Sequence, residues 1–174
     1  MNLYYFAYGS NLHPLRLSRR IPSAKLISTA SVQGYKLRFN KKGQDNSSKC
    51  NMNFTGINVD HIHGAVYEIN ENDLSTLDKI EGLNHGYWHK KLILKIDQQP
   101  ITALTYIAMP AYLDGQDKPF TWYKDIVVAG MEYLMFDSPY IHSIRSVQSK
   151  MDTNEQRENR MRNLLSEMKN LSRY

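Results

Sequence analysis

One cysteine, Cys50, stands among 174 residues. A single thiol excludes an intrachain disulfide framework, a thiolate zinc cluster and a redox CxxC pair. Long apolar runs are equally scarce, since Leu3–Ala7 and Ile126–Met131 fall far short of the roughly 18 residues a membrane span needs. A soluble protein with no membrane partner is expected. The opening MNLYYFAYGSNL has no basic n-region and no small-residue cleavage site, so no signal peptide is expected and the cytoplasm is the expected compartment. His61 and His63 are spaced to share a strand face, and His85 and His89 follow, but no HExxH occurs. No metal and no cofactor are expected. Chemistry falls to oxygen and nitrogen groups.

Hydrophobic residues make up 41% of the chain and charged ones 22%, the usage of a globular domain with a real core. The formal charge of +5 raises the question of nucleic acid, but its distribution argues against it. From Arg145 to Tyr174 seven Lys/Arg (Arg145, Lys150, Arg157, Arg160, Arg162, Lys169, Arg173) face four Asp/Glu, which leaves only +2 for the first 144 residues. The charge therefore describes a tail better than it describes an activity. We divide the chain into a domain over 1–150 and a helical tail over 151–174.

Leu3–Ala7 reads as a short buried strand, and Pro14 suits the first turn of a helix to about Arg20. Gly34–Asn40 alternates, with Tyr35, Leu37 and Phe39 on one face. Lys41–Asn51 is polar and rich in turn formers and reads as a mobile loop. His63–Ile69, Tyr87–Ile96 and Ile101–Ala108 read as strands, with a short helix over Asn72–Ile80 ending at Glu81-Gly82. Thr121–Met135 reads as a helix with Trp122, Ile126, Ala129 and Tyr133 as its stripe. In the tail, Asp152 and Glu155 resemble a capping box, and Met161, Leu164, Leu165 and Met168 form an apolar stripe. Such a stripe docks on the parent domain or on a second copy in a homodimer, unless the tail is a basic arm for a partner. The class is α+β, a small mixed or antiparallel β-barrel with helices outside it.

The informative segment is YFAYGSNL, Tyr5–Leu12, where an aromatic strand runs into Gly9, Ser10 and Asn11. Gly-Ser-Asn is ordinary turn chemistry. It is also a loop whose free backbone N–H groups can hold a carboxylate or a developing oxyanion. Glu81, read alone, is a solvated acid at a helix end, and Trp122 or Tyr123 could each be the inward aromatic.

YGSNL, here Tyr8 to Leu12, resembles the first signature of the gamma-glutamylcyclotransferase family. LDKIEG, Leu77 to Gly82, is similar to its second, and YKDIVVAGM, Tyr123 to Met131, to its third, all in order across about residues 3–135. The resemblance implies that Tyr5, Phe6, Ala7, Tyr8, Gly9, Ser10 and Asn11 line the substrate site, that Glu81 is the catalytic acid/base and that Tyr123 touches the substrate. A γ-glutamyl substrate carries its own nucleophile, because its α-amine can close on its γ-carbonyl to a five-membered lactam. The enzyme supplies a folded pose, oxyanion donors and a group that moves protons. An unperturbed Glu facing an α-ammonium is mismatched by about 3.7 pK units, and lifting it to about 6.5 would leave about 1.5. Two other readings stay open: a tailoring enzyme that removes γ-glutamyl from one metabolite, and a non-catalytic sensor with a basic partner-binding tail.

Overall fold

The computed structural model describes residues 1–171; Arg173, counted in the tail's charge, lies outside them. β1 (Asn2–Ala7) occupies the centre of a five-stranded sheet. Its Tyr5, Phe6 and Ala7 are all buried, which is what a strand covered on both faces requires. β1 pairs antiparallel with β5 (His61–Asn70) and parallel with β7 (Gln99–Ala108). Outside these lie β2 (Lys25–Gln33), paired with β5, and β6 (Tyr87–Ile96), paired with β7. The outer strands β2 and β6 come back into contact, so the mixed sheet curls. The expected α+β architecture is the observed one.

The reading of 41–51 as a mobile loop is wrong. β3 (Tyr35–Lys42) and β4 (Ser48–Phe54) form a separate two-stranded ladder, leaving only 43–47 as the turn. Its polar residues conceal a strand because their partners lie far away in sequence. Asn51, buried, donates to Asn40 Oδ1 at 3.1 Å and accepts from the Ala108 N–H at 3.0 Å, while Cys50 and Met52 face the core.

Helix α1 (Pro14–Ser18) follows β1, and α2 (Leu74–Glu81) follows β5 after a 3-10 turn over Glu71–Asp73. α3 (Thr121–Tyr133) ends two residues before the expected Met135 and is buried nearly all round, beyond its expected stripe. It packs against two further helices, α4 (Ser138–Arg145) and α5 (Glu155–Asn170), and its Tyr123 meets Phe39 of β3 and the Cys50 N–H of β4. Both Trp122 and Tyr123 are buried, so the choice between them dissolves.

Gly130 lets α3 approach the loop after β1, since a Cβ there would stand 2.6 Å from Leu12 Cβ and 3.1 Å from the His13 nitrogen. Gly130→Ala must push the helix off that loop, at an expected cost of about 2 kcal/mol. A thermal melt checks it: an unchanged Tm would mean the helix yields freely.

The tail helix α5 packs on α3 and α1 of its own chain, with Leu165 and Met168 buried. The Asp152–Glu155 capping box does not form. Asn154 caps α5 through the Arg157 N–H at 2.9 Å, whereas Asp152 accepts from the Trp122 indole at 2.9 Å and from Arg157 Nη2 at 2.6 Å. That partnership holds the Asp152 carboxyl well below the usual carboxylate range. Four of the seven basic groups from Arg145 onward are paired within the chain, Arg145 with Glu132, Lys150 with Asp117, Arg157 with Asp152 and Arg162 with Glu158, and Glu167 of the tail pairs with Arg19.

No helix among the described residues is long and apolar enough to cross a membrane. His61 and His63 do share a face, where they pack against each other and the Tyr140 ring.

Candidate active site

The end of β1 and the end of α2 meet at one point. After Ala7 the chain turns through Tyr8 to Asn11, and the Leu12 N–H closes the turn on the Gly9 carbonyl at 3.1 Å. A Cβ on Gly9 would stand 2.9 Å from Cys50 Cβ, so only glycine lets this loop lie against β4. α2 stops at Gly82, whose φ of 73° is a left-handed cap, and Glu81 is therefore its last helical residue.

An acid at a helix C-terminus opposes the helix dipole, and its stability there comes from its partners. Asn11 Nδ2 donates to Glu81 Oε1 at 2.6 Å and to the Tyr5 hydroxyl at 3.3 Å. Arg20 Nη1 donates to Asn11 Oδ1 at 3.1 Å. The buried amide thus links a cation to an anion. Loss of hydration pushes the Glu81 carboxyl above its ordinary pKa, while Arg20, Arg16, Lys41 and the Asn11 hydrogen bond pull it back.

The cavity has two parts. A narrow inner end of about 30 Å³ is walled by Tyr5, Tyr8, Gly9, Ser10, Asn11, Cys50, Glu81, Tyr87, Tyr106 and Tyr123. An outer vestibule of about 510 Å³ shares Ser10, Glu81, Tyr87 and Tyr123 with it and is lined by Arg16, Arg20, Lys41, Lys49, Lys79 and Arg157. The inner end holds little more than one or two waters, so a larger ligand must occupy the shared neck and extend outward.

Hydrogen bonds fix the tyrosines around the carboxylate. Tyr8 and Tyr87 donate to the carbonyls of Tyr106 and Cys50, both at 2.6 Å, and Tyr123 accepts from the Cys50 N–H at 3.2 Å. Burial raises Tyr5, Tyr8, Tyr87 and Tyr123 well above their ordinary values, so all stay neutral. It also pushes the Cys50 thiol up to about 12, which leaves it protonated and a poor nucleophile.

Of the residues singled out from sequence, Tyr5, Tyr8, Gly9, Ser10, Asn11, Glu81 and Tyr123 come together here. Phe6 and Ala7 do not reach the cavity. Strand alternation turns Phe6 to the other face, where it is fully buried, and Ala7 is buried opposite Ala65. Sequence reasoning missed Tyr106 and the cations Arg16, Arg20 and Lys41. Arg16 and Arg20 are four residues apart around α1, a spacing that could have marked them. Lys41 was hidden in the stretch read as a loop.

Fold and site together define a small α+β protein built around a carboxylate-centred cavity for a small molecule. Residues 5–125 match the family described as "Gamma-glutamyl cyclotransferase, AIG2-like", and the chain belongs to that family. The human gamma-glutamylcyclotransferase is 27% identical over 152 residues, 83% of this chain and 78% of its own. The bovine protein of that name is 38% identical over 87 residues, 48% of this chain and 46% of its own. A solved structure named gamma-glutamyl cyclotransferase superposes with a TM-score of 0.80 at 24% identity, covering 94% of this chain and 99% of its own. A human protein described as uncharacterized gives 0.78 at 24% identity, covering 92% and 98%. These two likenesses show the fold.

Proposed function

We propose that this protein converts a γ-glutamyl amide to 5-oxoproline and releases the amine, with Glu81 as the acid/base. The observation that carries this reading is the Glu81 carboxylate, held by Asn11 at 2.6 Å under the Tyr8–Asn11 loop in a cavity walled by neutral tyrosines. Glu81 takes a proton from the substrate's α-ammonium, and the freed amine attacks the γ-carbonyl to form the ring C–N bond. The oxyanion is met by loop N–H groups and a tyrosine hydroxyl. Its collapse breaks the original amide bond as Glu81 returns the first proton to the departing nitrogen, and the ring nitrogen's one surplus proton follows by the same carboxylate, which leaves a neutral lactam N–H and the amine as its ammonium. One carboxyl serves both transfers, and its raised pKa brings it nearer to both partners. The substrate supplies the nucleophile, so the protonated Cys50 is not needed.

Incubation with a panel of γ-glutamyl amino acids and amines, monitored for 5-oxoproline, tests the reading; folded protein that forms none from any member would end it. Asn11→Ala leaves Glu81 without its donor and Arg20 without its acceptor. The expected result is a loss of about tenfold or more in kcat/KM with KM changing less, because a misplaced base harms the chemical step more than binding. An unchanged kcat would show that Glu81 is held by something else.

A further inference from the structure

The vestibule holds more positive charge than the proposed chemistry uses. Lys49 is paired with Asp45 at 2.7 Å and Arg157 with Asp152, whereas Arg16, Arg20 and Lys41 have no carboxylate within ion-pair distance among the described residues. Arg16 is 5% exposed; its Nε has no hydrogen-bond partner and its Nη1 meets only Met161 Sδ at 3.9 Å. Lys41 is 7% exposed, and its ammonium lies 4.8 Å from the Tyr87 ring centroid without a polar acceptor. Burying a cation without an anion is costly. Desolvation, and then the nearby Arg20, push Arg16 down to about 9, which reflects the same deficit.

Counting charges gives the missing ligand group. Setting aside Lys79, which is exposed and screened by water, three unpaired cations face one carboxylate, Glu81, and a γ-glutamyl unit adds an ammonium and a carboxylate that cancel. Two positive charges remain. All three cations line the outer vestibule and none lines the inner end. We propose that the vestibule selects substrates whose leaving amine carries two negative charges, as a dicarboxylate or a phosphate ester does. This rests on the cyclotransferase reading and names its substrate class.

The test compares kcat/KM at pH 7.5 for γ-glutamyl-glutamate and γ-glutamyl-phosphoethanolamine (dianionic leaving groups), γ-glutamyl-alanine (monoanionic), γ-glutamyl-ethanolamide (neutral) and γ-glutamyl-cadaverine (cationic). The expected order falls with each lost negative charge, about tenfold from dianion to monoanion and again to neutral. The two dianions distinguish carboxylate from phosphate as the better fit. Lys41→Gln should compress the dianion-to-neutral ratio about tenfold. A dianion no better than the monoanion, or a ratio unmoved by Lys41→Gln, overturns the proposal.

Calorimetric binding of the free amines to the wild-type protein separates this failure from failure of the activity. Glutamate or phosphoethanolamine binding above alanine, and alanine above ethanolamine, with no turnover of any amide, upholds the vestibule's selectivity and removes the cyclotransferase reading. Turnover without charge ranking does the reverse. No turnover and no ranking removes both.

Discussion

Glu81→Gln is expected to lose about 10³-fold or more in turnover, because one side chain moves both protons and general acid/base catalysis alone is worth about 10²–10⁴. Glutamine can still accept from Asn11 Nδ2, so fold and substrate binding should survive. The loss should therefore appear in kcat, with KM little changed. The pH profile supplies a second readout. Burial raises the Glu81 carboxyl, and the base is competent only when ionised, so kcat/KM should rise with pH through an inflection above the ordinary value of 4.5. Lys41→Gln removes a charge that stabilises the carboxylate, and should move that inflection upward. Retention of more than a tenth of wild-type turnover by Glu81→Gln would place the proton transfers on another group.

The parts of this site legible in the sequence are those where chemistry is local. Tyr8 to Asn11 form one turn, and Glu81-Gly82 is read from a helix ending on a residue that tolerates φ of 73°. What could not be read is set by long-range pairing. β4 looked like a loop because Asn51 satisfies its amide through Asn40 and the Ala108 backbone, a relation no window of sequence displays. β2 was passed over because its alternate positions are only partly covered at the sheet edge, and residues such as Ser28, Thr29 and Ser31 weaken its hydrophobic signal. α4 was missed too, for all that Asp137 caps it by accepting from the Tyr140 N–H at 3.0 Å.

Charge was misread for the same reason. Summed along the chain, the first 144 residues carry only +2, so the positive charge seemed to belong to the tail. Folding gathers Arg16, Arg20 and Lys41 around one carboxylate while the acids that balance them in the sum lie elsewhere. Of the seven cations from Arg145 onward, four are occupied, by Glu132, Asp117, Asp152 and Glu158. A linear sum of charge cannot separate paired from unpaired groups; burial and partners do.

The tail is also part of the site's construction, which leads to a second large effect. Asp152 is 6% exposed and accepts from Trp122 at the start of α3, from the Asn154 N–H at 2.9 Å and from Arg157, whose guanidinium lies 5.1 Å from the Phe120 ring centroid and lines the vestibule. Asp152→Ala leaves a buried indole N–H and a half-buried guanidinium without acceptors, at a cost of about 3 kcal/mol. For a chain of this size that is a fall in Tm of about 8 °C. Because the folded carboxyl's pKa is depressed, its stabilisation is present above the ordinary value of 3.8 and is lost as pH falls through the folded value. The gap between wild type and Asp152→Ala should therefore be full at pH 7 and close in strong acid. Near-UV circular dichroism should register the freed Trp122. Equal melting temperatures at pH 7 would mean that α5 is held by Leu165 and Met168 alone, and that the vestibule's outer wall does not depend on this buried carboxylate.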